Sequence, residues 1–558
     1  MNKYIGIVVS VALASSMMFA ADGPKAKKHP ARKTAAKVTK VESSREIEEL
    51  KQQLAAQQQA QKAQFDTLQQ SNAALAEQLK QTQQQLNTAT GKINAMETEE
   101  RPAVTRLTAD VAEVKQAQAE TSTKLVQQEK KTTRLENATT LHYKGITIKP
   151  GGFISFDALY RRNAINTDIA TAWTAAPYSN APMARLGEFR ATSRLSRISV
   201  EADGKLGNAD LTGYFEIDFL GTGYGANENC ANGYSDRIRQ FWTRVAFKNG
   251  FSVTAGQMPS LFTTNRKGIE NLGEWMTPFT DGNVFIAHDY VRQSGIRVVK
   301  YFDNKKIAAA FAAENAATVS VNPSNVANLS GLATTGVGAL SNTTYSTNRA
   351  PDLIAKVAYD PGFGHYEIKA IGRVYRDRVM STPTTPGQSN TVFGGGIGGA
   401  IYLPVVPKKL DWMTEGSFGS VGRYGSSGID AVIKPNGNIS PERGIHALTT
   451  LEFHATPKLE LYAIGATEYL YRNYGYGAPT VDNSKCFLSE SAFSCSAHMR
   501  SISGGSTGLW YTFYKGPIGA VRYGFNWSYY EKTTWAGIGG APKATDSQFE
   551  ATIRYILP

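Results

Sequence analysis

Two short motifs in this sequence match enzyme signatures, but neither is followed by the element that its chemistry requires. Gly394-Gly-Gly-Ile-Gly-Gly399 has the spacing of a dinucleotide site, yet 401–406 reads as a strand, so a phosphate would meet no helix N-terminus. Gly504-Gly-Ser-Thr-Gly508 fits a nucleophile elbow, yet 509–513 again reads as a strand. The seven histidines show no metal-ligand spacing. We therefore expect no enzyme, no cofactor and no metal site.

Basic residues of the C-terminal region are the better candidates for chemistry, because several alternate with apolar ones. Arg197 precedes Ile198 and Lys369 follows Ile368, so each basic side chain lies opposite an apolar face. A guanidinium can bind two oxygens of a carboxylate or phosphate at once. For any single arginine, an ion pair within the sheet is the simpler interpretation. The candidates for a water-facing lining are Arg197, Arg237, Arg239, Arg266, Lys267, Arg297, Lys369, Arg373 and Arg522.

The last two segments of the chain show the element that must carry these side chains. In 548–557, apolar residues alternate with polar ones, as in an extended strand. In 521–529, Val521, Tyr523, Phe525, Trp527 and Tyr529 share one face. A face this aromatic would promote aggregation in water but suits contact with lipid. Arg522 then lies on the opposite face.

The region 141–558 predicts an all-β transmembrane barrel of about sixteen antiparallel strands, closed by its final strand against the first. No run of apolar residues elsewhere is long enough for a helical span. Short turns alternate with long polar connections, an asymmetry typical of outer-membrane barrels. The predicted long loops are 162–192, 220–236, 258–290, 316–351 and 472–499.

A barrel of about sixteen strands is too wide for side chains to fill, so we expect an aqueous channel. The third long loop, 258–290, is the candidate for a loop that folds inward and narrows the pore. Its charged and aromatic residues include Arg266, Lys267, Glu270, Glu274, Trp275 and Asp281. Glu216 and Asp218 are expected on the inner face, where they would oppose an anion-attracting field.

The three cysteines are too few for a disulfide framework. Cys486 and Cys495 bracket a short polar segment and are the candidates for a disulfide in an oxidising compartment. Cys230 is then either free or bonded to a partner.

The N-terminal region divides into three segments. Residues 1–21 have a positive start, an apolar stretch and small residues at the end, as in a secretory signal peptide. Residues 22–44 form a basic tether, which is either a solvated linker or a contact with an anionic envelope polymer. Residues 45–138 repeat apolar positions at alternating three- and four-residue spacing, interrupted at Pro102. This spacing predicts an α-helical coiled coil that self-associates, with packing on the chain's own body as the alternative.

Four stretches resemble the DcaP-like trimeric outer-membrane porins, which are related to the phosphate-selective porins. They are Gly151–Ala158, Ser193–Val200, Asp236–Arg239 leading into Thr254–Gln257, and Val291–Arg297. The resemblance implies a homotrimer with sixteen strands per chain that passes small anionic solutes. It places the barrel in the Gram-negative outer membrane, among its lipids, with the coiled coil in the periplasm. The ending Leu557-Pro558 departs from the aromatic end that such barrels usually have.

The expected function is passive diffusion of small, preferentially anionic solutes such as carboxylates or phosphate-like ions. One alternative is a sugar-specific porin, in which tyrosine and tryptophan side chains form a stacking track. Another is a structural envelope tether, in which the barrel is an anchor and the basic segment contacts the cell wall. No nucleic-acid partner is expected.

Overall fold

The computed structural model describes two compact units, Met1–Glu136 and Asn137–Pro558, in part of their length. The predicted signal peptide, the basic tether, Cys230 and Asp281 lie outside the described residues. The described ranges are 66–67, 69–92, 101–136, 140–165, 167–221, 235–278, 286–321, 329–330, 333–334, 346–379, 387–425, 429–473, 481–487, 495 and 497–558.

In the first unit the structure describes two long helical stretches, α1 over residues 69–92 and α2 over Arg101–Glu136. Hydrogen bonds join Gln128 of α2 to Ser71 of α1, at 3.1 Å, and Gln118 to Gln83, so the two helices run antiparallel. Among the described side chains, the predicted seam positions, such as Leu75, Leu79, Val111 and Leu125, are the less exposed ones on each helix. The seam positions of α1 and α2 therefore pack against each other within one chain. Self-association of the helices stays a prediction. Neither described helix is both long and apolar enough to cross a membrane.

The second unit is a closed antiparallel barrel, and the structure describes sixteen strands in its wall, which confirms the predicted fold class. The second strand consists of two segments that both pair with the first. The strands are β1 Ile146–Arg161, β2 Glu188–Thr192 with Arg197–Leu206, β3 Ala209–Gly221, β4 Ser235–Phe247, β5 Phe251–Pro259, β6 Arg292–Phe302, β7 Ile307–Glu314, β8 Asp352–Tyr359, β9 His365–Val379, β10 Gln388–Val406, β11 Leu410–Gly419, β12 Gly444–His454, β13 Leu459–Leu470, β14 Met499–Gly516, β15 Gly519–Thr534 and β16 Lys543–Ile556.

The barrel closes where β16 pairs with β1, with Ile556 opposite Phe153 and Gln548 opposite Arg161. The backbone N–H of Leu557 donates to the carbonyl of Gly152 at 3.0 Å, so the last residues complete the wall. This is the predicted pairing of the last strand with the first. Because the strand number is even, both ends of the barrel lie on the side of the short turns.

The two faces of the wall follow the alternation in the sequence. Phe525, Trp527, Phe549 and Ile553 are exposed on the outer face, whereas the charged residues between such positions turn inward. The inner face is lined by buried polar and charged side chains, with an apolar cluster where loops pack against β10 to β15.

Several connections differ from the prediction. The second strand begins at Glu188 rather than near 193, because its first segment pairs with the end of β1 before the chain turns at 193–196. Connections 380–387, 420–443 and 535–542 also lie at the long-loop end. A small four-stranded sheet forms among the loops, from Val319–Val321, Ala333–Thr334, Ala431–Ile433 and Ile439–Pro441. The remaining short segments are the strands Leu141–Tyr143 and Leu329–Ser330 and the 3-10 helices Trp173–Ala175, Pro182–Arg185, Asp303–Lys305, Gly422–Tyr424 and Ser484–Cys486.

Candidate pore lining

The connection from β5 to β6, residues 260–291 and here called loop 3, folds into the barrel. Thr264 and His288 contact Glu415 of β11, and the Trp275 indole N–H donates to Glu452 of β12 at 3.1 Å. The indole of Trp510, on β14, donates to the carbonyl of Pro278 at 2.9 Å. Loop 3 therefore reaches across the lumen, as the sequence predicts for the third long loop.

Acidic side chains of the wall hold loop 3 by its backbone. Glu314, Glu367 and Glu468 accept hydrogen bonds from the N–H groups of Leu261, Asn265 and Ala287, at 2.7, 3.2 and 2.7 Å. Inside a barrel these loop amides have no strand partner, and a carboxylate satisfies them strongly. Much of the inner negative charge is therefore structural and covered by the loop.

Two of the predicted lining residues, Lys369 and Arg373, point inward but are covered rather than open to the channel. Lys369 Nζ lies 2.8 Å from Asp289 of loop 3, and its side chain is fully buried. Arg373 contacts Asp352 and Asp430, and the rings of Tyr375 and Tyr424 lie about it. Alternation assigns such residues to the inner face but cannot show that a loop lies over them.

Arg297 and Arg239 are also buried. Arg297 donates to the carbonyl of Pro259 and lies 3.8 Å from Glu274 of loop 3, so it secures the base of the loop. Arg239 binds Glu216 and Asp218, each at 2.7 Å. Both residues therefore support the lining rather than expose a guanidinium to solutes.

The other predicted residues keep part of their side chains open. The exposed fractions are 26% for Arg197, 19% for Arg237, 42% for Arg266 and 27% for Arg522. Each forms an ion pair, with Glu216, Asp218, Glu452 and Glu460 respectively. Lys267, next to Arg266 on loop 3, is exposed, and no described carboxylate forms an ion pair with it.

The structure gathers four arginines on strands β2, β4 and β6, beside Tyr290 at the end of loop 3. Arg197 of β2, Arg237 and Arg239 of β4 and Arg292 of β6 surround two carboxylates, Glu216 and Asp218 of β3. We call these four arginines the upper arginine cluster. Four cations against two anions leave an excess of two positive charges. Sequence reasoning missed Arg292, whose neighbour Tyr290 stacks beneath its guanidinium at 5.8 Å.

A second arrangement alternates guanidiniums with aromatic rings. Arg197 and Arg554 lie over the Phe153 ring at 5.0 and 4.5 Å, and Arg554 and Arg522 lie over the Trp510 ring at 4.9 and 4.8 Å. We call Phe153, Arg197, Trp510, Arg522 and Arg554 the guanidinium–aromatic stack. Stacking holds each guanidinium by its face and directs its N–H edges to oxygen acceptors. Carboxylates occupy part of these edges, Glu216 for Arg197, Glu460 for Arg522 and Asp157, at 3.8 Å, for Arg554.

Glycine determines the position of one end of this stack. Gly152 has φ 127°, and a Cβ built there would lie 2.2 Å from the carbonyl oxygen of Arg197. Only glycine accommodates that approach without strain. The close contact between β1 and β2 brings Arg197 beside Phe153.

A second loop also folds inward, which the sequence analysis did not predict. Loop 1, residues 162–187, places the Trp173 ring 4.7 Å from the ring of Tyr530. Lys532 donates to the carbonyls of Thr174 and Ala176 at 2.8 Å each. The signal available in the sequence is the apolar content of this segment, which includes Ile165, Ile169 and Trp173. Trp173 of loop 1 belongs to the same buried apolar cluster as Trp275 of loop 3, so both loops occupy this part of the barrel interior.

Cys486 and Cys495 form the predicted disulfide. The carbonyl of Cys486 accepts a hydrogen bond from Ser179 of loop 1 at 3.1 Å. The disulfide thus stabilises the loop between β13 and β14 where it packs against loop 1.

Three potential metal ligands, Asp411, Glu452 and His454, come together at the short-turn end. Asp411 accepts from the Tyr402 hydroxyl at 2.7 Å and lies 3.2 Å from His454 Nε2. Glu452 is bound by Arg266 and Trp275. Both carboxylates therefore have protein partners. Glu452 holds loop 3, and Asp411 is held by Tyr402 and His454 of the wall.

Comparisons with known structures show which proteins share the fold of this barrel. No family model and no curated protein matches the sequence. The outer membrane channel DcaP of Acinetobacter baumannii is similar in structure, with a TM-score of 0.53 at 16% identity over 75% of this chain and 100% of that chain. An anion-selective porin from Comamonas acidovorans follows with a TM-score of 0.42 at 11% identity, over 74% of this chain and 100% of that one. The chain therefore has the fold of the DcaP-like outer-membrane porins, a closed barrel of sixteen antiparallel strands.

Proposed function

We propose that this protein is an outer-membrane porin for passive diffusion of small solutes, with a preference for anions. The upper arginine cluster carries the proposal. It provides four guanidiniums around two carboxylates on β2, β3, β4 and β6, and two of the four, Arg197 and Arg237, keep 26% and 19% of their side chains exposed. Low-dielectric walls focus the field of such a cluster on the water beside it.

The guanidinium–aromatic stack extends the positive path toward the short-turn end. Arg522 and Arg554 lie opposite each other in the β15–β16 ladder, and Arg197 belongs to both arrangements. An anion that leaves the upper cluster meets further N–H donors rather than a neutral gap. Carboxylate and phosphate groups match the fork of a guanidinium, which favours them over halide ions of similar charge.

The experiment is a reversal-potential measurement in planar bilayers under a potassium chloride gradient. We expect an anion-selective potential for the native protein and a shift toward cation selectivity for the double variant Arg197→Ser/Arg237→Ser. Lys248→Ser, an exposed lysine in a short turn, is the matched control and should leave the potential unchanged. A cation-selective native channel, or equal shifts in both variants, would contradict the anion preference.

The inner aromatic residues favour the anion channel over the sugar-specific porin. Both Phe153 and Trp510 already have two guanidiniums close to their rings, so these rings are not open platforms for sugars. Current block by oligosaccharides, without block by dicarboxylates or phosphate, would support the alternative instead.

We further propose a homotrimer in the outer membrane, with the helical unit in the periplasm, following the resemblance to trimeric porins. Light scattering of the detergent complex measures the oligomeric state, and a deletion of residues 22–140 tests the tether. If the deletion variant still takes up solutes and its cell envelope does not detach, the channel is the main role and the tether is not.

A further inference from the structure

A pocket of about 480 Å³ opens on the outer surface of the barrel at the long-loop end. β10 pairs with β9 from Gln388 onward but with β11 only from Gly396, so the described backbone of 388–395 has a partner strand on one side. The pocket lies at this seam. Its apolar and neutral lining includes Phe393, Gly395, Phe418, Ser420 and Tyr471.

The floor of the pocket is aromatic and continuous with the outer face of the barrel. Phe393 is 77% exposed and Phe418 is 50% exposed. Phe418 meets the ring of Tyr471 edge-on at 6.4 Å, and Tyr471 meets Tyr469 at 5.5 Å. Rings at this level of a membrane barrel lie where acyl chains meet headgroups.

The rim of the pocket is cationic. Lys434, Arg443 and Arg472 line it, and among the described residues no carboxylate forms an ion pair with Lys434 or Arg443. The adjacent acid, Glu442, is buried, and its carboxylate oxygens contact Asn473 at 2.7 Å and His498 at 3.3 Å. It therefore forms no ion pair with Lys434 or Arg443. Arg500 extends the positive surface, stacked 5.2 Å from the Trp535 ring.

This combination fits a molecule that has phosphate groups at one end and hydrocarbon at the other. Free phosphate would use the cations but would have no use for exposed Phe393 and Phe418. We propose that the pocket binds a phosphate-bearing lipid of the leaflet on the long-loop side. The phosphate lies against Lys434, Arg443 and Arg472, and an acyl chain lies on the two phenylalanines. The inference requires the barrel to lie in a membrane, but it does not depend on which solutes pass through.

The test uses the full-length protein in detergent, titrated with lipid A, a glycolipid with two phosphates, and followed by native mass spectrometry. We expect Lys434→Ser/Arg443→Ser to weaken lipid A binding about tenfold or more, given the contribution of basic residues near anionic lipids. Lys408→Ser/Lys458→Ser, which removes two exposed lysines at the opposite rim, is the matched control and should retain native affinity. Equal losses in both double variants would overturn the proposal.

A second variant separates the lipid from its headgroup. Phe393→Ala should weaken binding of lipid A and leave any binding of inorganic phosphate unchanged. Lipid A affinity that is insensitive to Phe393→Ala, together with full competition by inorganic phosphate, would overturn the lipid assignment. Single-channel conductance of each variant in bilayers shows that the barrel is folded, and it distinguishes failure of this site from failure of the proposed channel.

Discussion

The indole N–H of Trp510 donates to the carbonyl oxygen of Pro278 at 2.9 Å, which ties loop 3 to β14. The guanidiniums of Arg522 and Arg554 lie 4.8 and 4.9 Å from the centre of the same indole ring. One side chain therefore connects the position of the constricting loop to the position of the basic lining. This link makes Trp510 a sensitive point for the width of the pore.

We predict that Trp510→Phe loosens loop 3 while it keeps an aromatic ring beside the two arginines. Loss of one hydrogen bond costs about 1 kcal/mol, so the barrel should remain folded. Single-channel recordings should show a larger or noisier conductance. Trp412→Phe is the matched control, because its indole N–H donates at 2.8 Å to Thr449 away from loop 3. Unchanged conductance in Trp510→Phe would contradict the assigned role.

The buried lysine beneath loop 3 should matter far more for stability than a surface lysine. Lys369→Met leaves Asp289 buried without its cation, whereas Glu367 keeps Lys356 at 2.8 Å, and the loss at Asp289 costs about 3–5 kcal/mol. Lys205→Met removes an exposed pair with Asp210, where about 1 kcal/mol or less is at stake. Urea unfolding in lipid vesicles compares the free energies of unfolding. Equal destabilisation by the two variants would show that loop 3 is not held by Lys369.

Asp289 of loop 3 should make stability depend on pH. Burial raises its pKa from 3.8 to about 6, with Lys369 and Glu415 facing the carboxyl and Ser417 bonded to it. Between these two values the folded state binds more protons than the unfolded state, so this residue's contribution to stability increases as pH falls from about 6 to 4.

Asp289→Asn should reduce that dependence, and thermal melting of both proteins at pH 4.5 and 7 measures the difference. Asp210→Asn, on the surface, is the control and should keep the native pH profile. An unaltered profile in Asp289→Asn would exclude Asp289 as its source.

Thiol titration should separate the three cysteines. The Cys486–Cys495 disulfide leaves Cys230 as the third cysteine. If Cys230 is free in the purified protein, each chain has one thiol. Under denaturing conditions, a thiol reagent should therefore label one site before reduction and three after it. Labelling of Cys486 before reduction, seen by peptide mass spectrometry, would contradict the disulfide in the purified protein.

The sequence by itself determined the wall of the barrel. Alternation along a strand is a local property, so the inward direction of Arg197, Lys369 and Arg522 and the outward direction of Phe525 and Phe549 could be predicted. The long third loop and the cysteine pair were also visible, from polar composition and from spacing.

Only the tertiary structure decided which inward charges face the channel. Lys369 meets Asp289, and Arg373 meets Asp430, through loops whose positions depend on contacts distant in sequence. The same holds for Arg292, which joins the upper arginine cluster, and for loop 1, which enters the lumen. Alternation along a strand determines which face of the sheet each side chain lies on. Whether that side chain is buried or ion-paired depends on the loops and strands across the lumen, and closure of the barrel determines which ones these are.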